Sequence, residues 1–331
     1  MDAILRRLHL SALALRASSI GGGARIAITD RDLSVWPLDC RFLSTDVLAR
    51  RNPFPQDARI TFVEKTHKYY VDGQEAAISV TSFVHAPFPV FNTPAVIARM
   101  SRRTRSEKYA QLNDREIALA WDANAREAST LGTCMHAALE CYANTGVWAR
   151  DPRIAKELAM AEAFFTKEVY GRGLELFRTE PTIFVEPSET GFLLPGSVDC
   201  ILRDPVADEY WVVDWKRSKE IVLTANGAYG YGEPPFDKLE NTNYFHYSLQ
   251  LHTYCYILQR FYKLNVNPKH LYMVVIHANQ ESYRMIPAAD LQELVCQELM
   301  PNFAKYISMA EEHKALEAAI AVWKAGGTLL E

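Results

Sequence analysis

Between Asn113 and Tyr142 the chain has no proline, and Ile117, Ala120, Trp121, Ala128, Leu131, Met135, Ala138 and Leu139 recur mostly three or four residues apart. That period puts apolar side chains on one face and predicts a long helix, or two abutting ones, stopped at Asn144 to Gly146. A second helix is expected over about 153–170, ending at Gly171. The period then changes. "TIFVE" (182–186), "GFLLPGSVDCILRD" (191–204) and "DEYWVVDWK" (208–216) are short β-rich runs parted by turn residues, and they read as a three-strand meander. A helix from about His246 to Tyr262, the strand "LYMVVIH" (271–277) and helices from about Ala289 follow. The order helix, three strands, helix, strand is the organising feature of the chain.

Upstream, "RITFVEKTHKYYVDGQ" (59–74) predicts two strands joined by a turn, with Asp72-Gly73 closing the second. "SVTSFVHAPFPVF" (79–91) leads through prolines to a helix start at Thr93-Pro94, where a first-position proline is already set for helical φ. "NPFPQD" (52–57) marks a boundary. Three sections are therefore expected: an N-terminal extension over 1–55, a core with a helical insertion over 56–285, and C-terminal helices over 286–331. The Gly/Pro/aromatic-rich stretch 218–245 is long for a plain connection, and its Tyr229, Tyr231, Phe236, Tyr244 and Phe245 can either stack on bases or cover a sheet edge.

The 331 residues, 49% of them hydrophobic, are enough for a sizeable core, and no apolar run reaches the length of a membrane span. Met1 to Thr29 carries Arg6, Arg7, Arg16 and Arg25 against the single acid Asp2. It reads either as an import sequence or as an accessory helix, so the expected location is intracellular, with the mitochondrion and the nucleus both open. Cys40, Cys134, Cys141, Cys200, Cys255 and Cys296 are scattered without a C-x-x-C pair, which argues for reduced thiols and against a zinc ribbon or iron–sulfur site. A net charge of −4 means that a nucleic-acid partner has to be held by a local basic patch.

"VVDWKRSK" (212–219) ends a strand with Asp214-Trp215-Lys216. If the second and third strands pair about a turn near 204–208, Asp199 and Asp214 lie about seven residues either side of it and their carboxylates approach across the strands. Two such carboxylates repel unless neutralised, and a divalent cation with a preference for oxygen ligands neutralises them. Strand alternation puts Lys216 on the same face as Asp214, where an ammonium orients water or stabilises charge on a phosphate. In "LGTCMHAALE" the residues Thr133, His136 and Glu140 share one helix face, and an imidazole among carboxylates suits Mn²⁺ better than Mg²⁺.

Four motifs occur in order: Gly132 to His136, "GSVD" (196–199), "DWK" (214–216) and "QLHTY" (250–254). Together they resemble the PD-(D/E)XK nuclease superfamily, in the branch of the RecB nuclease domain, the CRISPR-adaptation nucleases and the mitochondrial genome maintenance exonuclease. The resemblance covers about residues 60–280. It implies an α/β, restriction-endonuclease-like fold: a mixed β-sheet flanked by helices, with helical additions at both ends. By position, it implies that His136, Asp199, Asp214 and the main-chain carbonyl of Trp215 ligate Mg²⁺ or Mn²⁺, and that Lys216, Asp214 and Asp199 are catalytic. Gln250 and Tyr254 would contact DNA. Glu186 and Glu140 are either acidic helpers of the site or plain structural residues. The four-cysteine pattern of the CRISPR-adaptation members is absent, so no iron–sulfur cluster is implied.

"RMSRRTRSEK" (99–108) holds Arg99, Arg102, Arg103, Arg105 and Lys108 against Glu107, and is either a phosphate-contacting patch or a solvated face. The expected function is a metal-dependent deoxyribonuclease that hydrolyses phosphodiester bonds with a metal-activated water, acting as an exonuclease or on single-stranded or free DNA ends. The alternatives are a catalytically silent DNA-binding or scaffold module on the same fold, and a dimeric endonuclease.

Overall fold

A computed structural model describes residues 45–100 and 107–328. Among them the helices are α1 (Val47–Arg51), α2 (Val80–His85), α3 (Thr93–Arg99), α4 (Asp114–Thr145), α5 (Ala155–Phe164), α6 (Asn243–Tyr262) and α7 (Phe303–Lys324). The strands are β1 (Ile60–Val63), β2 (Lys68–Val71), β3 (Gln74–Glu75), β4 (Glu175–Thr179), β5 (Thr182–Phe184), β6 (Pro195–Ser197), β7 (Cys200–Asp204), β8 (Glu209–Lys216), β9 (Val266–Val275) and β10 (Arg284–Pro287). The chain is mixed α/β.

A five-stranded sheet in the order β10-β9-β8-β7-β4 forms the centre. β8 and β9 run parallel, joined through α6, and the other pairs are antiparallel. Alternation along β8 divides the core. Trp211, Val213 and Trp215 pack with α4 and α5, whereas Val212 packs with α2 and α6 on the opposite face. The sheet is thereby buried between two helical layers. α4 is a single helix of 32 residues, opened by a capping box of Asn113 and Glu116 and closed by Gly146 at φ 71°.

The expected meander needs correction. Its first strand is β4, "ELFRT", while "TIFVE" supplies β5, which pairs with β6 in a separate two-stranded ribbon. The run 191–204 is broken at Val198-Asp199, where the chain leaves the ribbon and enters the sheet as β7. β4 does not alternate cleanly because its register with β7 shifts between Leu176 and Arg178. Arg178 is also buried, since its guanidinium meets Asp57 at 2.9 Å and donates to the Asn52 carbonyl. The helix expected to end at Gly171 runs on through a wider turn at Phe165–Val169 to Gly173, at φ 74°.

Beyond the sheet, β1, β2 and β3 form a small antiparallel sheet, as the turn pattern implied for its first two strands. Ile60 faces Val71 across it, and both pack on Phe184 of β5. The segment around α1 is tied to the core: the Leu48 N–H donates to Asn144 Oδ1 of α4, and Asn52 Nδ2 donates to the Phe177 carbonyl. β10 (Arg284–Pro287) spans the expected boundary at residues 285 and 286, so its antiparallel pairing with β9 joins the central section to the C-terminal one. No helix among the described residues is long and apolar enough to cross a membrane.

Candidate functional site

α4, the link after β4, the break before β7 and the end of β8 converge on one cleft of about 690 Å³. His136 projects into it from α4. Its Nδ1 lies 3.3 Å from Glu180 Oε1 and 3.7 Å from Asp199 Oδ1, and its Nε2 lies 3.1 Å from the Trp215 carbonyl. Among the described residues, His136, Glu180 and Asp199 are the group whose donor atoms all come within 4.8 Å of one another. Asp199 Oδ2 accepts from the Trp215 N–H at 2.7 Å, which pins the carboxylate across the β7–β8 pair. That placement is the one expected from the hairpin.

Glu180 was not expected. It follows β4 in "RTEPT" with φ 47°, a left-handed conformation that costs a non-glycine residue about 1–2 kcal/mol and that the following Pro181 makes less comfortable still. Two hydrogen bonds hold it there: its N–H donates to the Asp199 carbonyl at 3.0 Å, and Ser197 Oγ donates to its Oε2 at 3.2 Å. Strain of this kind, held by its surroundings, aims the carboxylate at His136. The acid before a proline between two short strands was the available signal.

Asp214 and Lys216 share a face of β8, with Nζ 2.6 Å from Asp214 Oδ2. The ammonium also lies 4.2 Å above the Tyr247 ring. Asp214 is 3% exposed, and its Oδ2 has the poorly aligned ammonium and no other donor. It is not one of the three side chains clustered within 4.8 Å, where Glu180 joins His136 and Asp199.

Electrostatics set these groups apart. Burial pushes the Asp214 carboxyl up to about 6 against the pull of Lys216. Asp199 is raised by burial and by the neighbouring Glu180, with His136 opposing. Burial disfavours the His136 imidazolium, but Asp199 and Glu180 outweigh it and push the histidine up to about 9. Lys216 likewise loses by burial and gains more from Asp214 and Asp199, so it is held well above the ordinary lysine range.

The remaining expected residues separate. Gln250 and Tyr254 are buried under the site on α6. Gln250 Nε2 donates to Thr81 Oγ1 at 3.1 Å and to the Tyr254 hydroxyl at 3.0 Å, so the expected direct DNA contact is replaced by an internal brace. The brace explains Gly196 of "GSVD": a Cβ there would come 2.7 Å from the Tyr254 ring. Glu186 is occupied by Arg59 at 2.7 Å, which also holds Asp72, so it anchors the β1–β2 hairpin to the ribbon. Glu140 is buried in the cleft wall one turn beyond His136, whose two ring nitrogens already face Glu180 and Trp215. Arg99 and Lys108 are exposed, and Arg102, Arg103 and Arg105 lie outside the described residues. Of the aromatics in 218–245, Tyr229 and Tyr231 are exposed while Phe236 is fully buried, edge-on to Tyr306.

No protein-family model and no curated protein matches the chain. A solved structure described as "Crystal structure of SSO0001" is similar over 72% of this chain and 75% of its own, with 13% identity and a TM-score of 0.27. A superposition that loose carries no argument about fold or chemistry.

Proposed function

We propose that the chain is a metal-dependent nuclease of PD-(D/E)XK type, with a restriction-endonuclease-like core, acting on DNA. The observation that carries this reading is the convergence of His136, Glu180 and Asp199, near the Asp214–Lys216 pair, at a cleft lined by His136, Glu180 and Lys216. The donor set fits a hard divalent cation that tolerates one imidazole, such as Mn²⁺ or Mg²⁺. Crowded carboxylates beside a histidine that holds its proton to about pH 9 are also a place where a cation can replace that proton. His136, Glu180 and Asp199 would hold the ion, with the Trp215 carbonyl beside them and Asp214 as the further carboxylate that the resemblance implies.

Such an ion supplies positive charge against a phosphate and makes a water a better nucleophile. The chain's own groups do the rest. Lys216, raised by Asp214 and Asp199, orients the attacking water and stabilises charge on a phosphate oxygen. Asp214 holds that ammonium in place at 2.6 Å. Asp199, fixed by the Trp215 N–H, keeps its other oxygen toward His136. The topology supports the same reading, since the site lies at the C-terminal end of β8, where the sheet has its one parallel pair and its crossover helix.

The test is cleavage of end-labelled single-stranded, double-stranded and covalently closed DNA with Mg²⁺, Mn²⁺ or EDTA, beside the Asp214→Asn variant. Metal-dependent loss of substrate that disappears in the variant is expected, and the closed circle reports whether an end is required. Binding without cleavage under every metal would instead favour a silent DNA-binding module.

A further inference from the structure

The β1–β2 hairpin lines the cleft together with α4, and none of the site chemistry uses it. Its register explains what it presents. Ile60 pairs with Val71 at the base, where both are buried on Phe184. Two residues further out, on the same face, Phe62 pairs with Tyr69, and both are half-buried at the cleft. Their rings lie 4.5 Å apart, tilted by 31°, and His67 at the exposed tip stands edge-on to Phe62 at 5.8 Å. A cross-strand aromatic pair stabilises a hairpin modestly. Burial would complete that role, yet here the pair is left open to the cleft that holds His136 and Lys216. Burial first, then Glu180 and Asp199, raise the phenol of Tyr69, which lines the same cleft as His136 and Glu180.

Charge and size narrow what lies against these rings. Arg178 and Arg217, two cations of the cleft wall, are engaged by Asp57 at 2.9 Å and Glu157 at 3.0 Å. Asp46 of the same wall is likewise matched, to Arg50 at 3.1 Å. With these wall arginines already engaged, two phosphate backbones find little to hold them, whereas a strand gripped through its bases needs few cations. A volume of about 690 Å³ is that of a small-molecule pocket, room for one or two nucleotides and not for a duplex. Gly132 of α4 also lines the cleft and has nothing within 4 Å of where a Cβ would be, which leaves space there for a flat group.

We propose that Phe62 and Tyr69 form a base-stacking platform that admits one unpaired nucleic-acid strand to the site, making the hairpin the element that selects single-stranded or frayed ends. This rests on the nuclease reading for what happens to the strand, and not for its binding. Base–aromatic stacking changes affinity by roughly 5- to 150-fold per base.

The experiment measures binding of a fluorescent single-stranded oligonucleotide and its duplex in EDTA. It also uses a series of otherwise identical single strands in which one base at a time is replaced by an abasic site. Full-length protein is compared with Phe62→Ala and Phe62→Trp, with a melting curve for each, and cleavage is followed separately with Mn²⁺. The expected result is a preference for the single strand, a loss of affinity of at least about 5-fold at one abasic position, disappearance of that loss in Phe62→Ala, and its retention in Phe62→Trp. Equal abasic penalties in the parent protein and in a folded Phe62→Ala overturn the platform even if DNA is cleaved. Base-dependent binding without cleavage leaves the platform standing and removes the nuclease reading. Absence of both binding and cleavage overturns the two together.

Discussion

Two buried groups of charges lie close together in this chain and are built on opposite plans. In the first, Arg178 meets Asp57 at 2.9 Å and Arg217 meets Glu157 at 3.0 Å, each cation matched to its own carboxylate. In the second, Glu180 and Asp199 crowd one imidazole while Asp214 is pressed against one ammonium. Matched pairs hold elements together: Arg178 ties β4 to the segment before β1, and Arg217 ties the end of β8 to α5. In the crowded group the charges are not matched one to one: burial and neighbouring carboxylates raise Asp199 and Asp214, while attraction from Asp199 and Glu180 raises His136 against its burial. Displacement of that kind is characteristic of sites that bind or react.

The contrast breaks first under substitution of one carboxylate from each group. Asp57→Ala leaves a buried guanidinium unmatched, which costs about 3–5 kcal/mol of stability. Its denaturation midpoint should fall sharply, while activity per folded molecule persists. Glu180→Gln keeps a hydrogen-bonding side chain and removes one of two repelling charges. Cleavage should then fall at least about 100-fold, a loss of some 2.7 kcal/mol in barrier terms, with no drop in the melting temperature measured in EDTA. If Glu180→Gln destabilises as Asp57→Ala does and still cleaves, Glu180 belongs to the structural group and the metal set loses a member.

What the sequence showed of this arrangement followed from regular periods. The long apolar period of α4 placed His136, and the alternation of β8 placed Asp214 and Lys216 on one face; both stand in the structure. The β7–β8 hairpin pairs about the expected turn, with Cys200 facing Val213, and the Asp199 carboxylate, expected beside Asp214, accepts from the neighbouring Trp215 N–H. Irregular backbone hid the rest. β4 carries a bulge and a buried arginine whose partner lies 121 residues away, so no local pattern marks it as a strand. Glu180 reaches the cluster through a left-handed backbone that its own neighbours disfavour and that only the contacts to Asp199 and Ser197 maintain. Gln250 misled for the converse reason: its spacing was right, but a distant Thr81 occupies its amide. Glu186, open between two roles, takes the structural one because a distant Arg59 holds its carboxylate.

Support beneath the site gives a smaller expected effect. Gly196→Ala would bring a Cβ to 2.7 Å from the Tyr254 ring and to 3.1 Å from Val80. Overpacking of this sort costs about 1–3 kcal/mol. A lowered melting temperature with metal affinity nearly intact is expected, because Tyr254 braces Gln250 and makes no direct contact with the clustered ligands. A loss of metal binding at unchanged stability would place Tyr254 in the site instead.

The finest separation is by pH. The folded state holds the His136 proton up to about pH 9, against an ordinary value of 6.5, so this group's stabilising contribution is complete below about pH 6.5 and lost as pH rises through 9. Asp214, raised to about 6, has the same sign over a lower window: the folded state keeps its proton longer than the unfolded one, and stability falls as pH climbs through that range. In EDTA the melting temperature should therefore decline from acid toward pH 9, and His136→Ala should flatten the upper part of that decline. A divalent ion competes with the His136 proton, so the upward shift in melting temperature on adding Mn²⁺ should grow with pH over the same interval. A Mn²⁺ shift independent of pH would mean that the ion binds away from His136, and the crowded cluster would need another explanation.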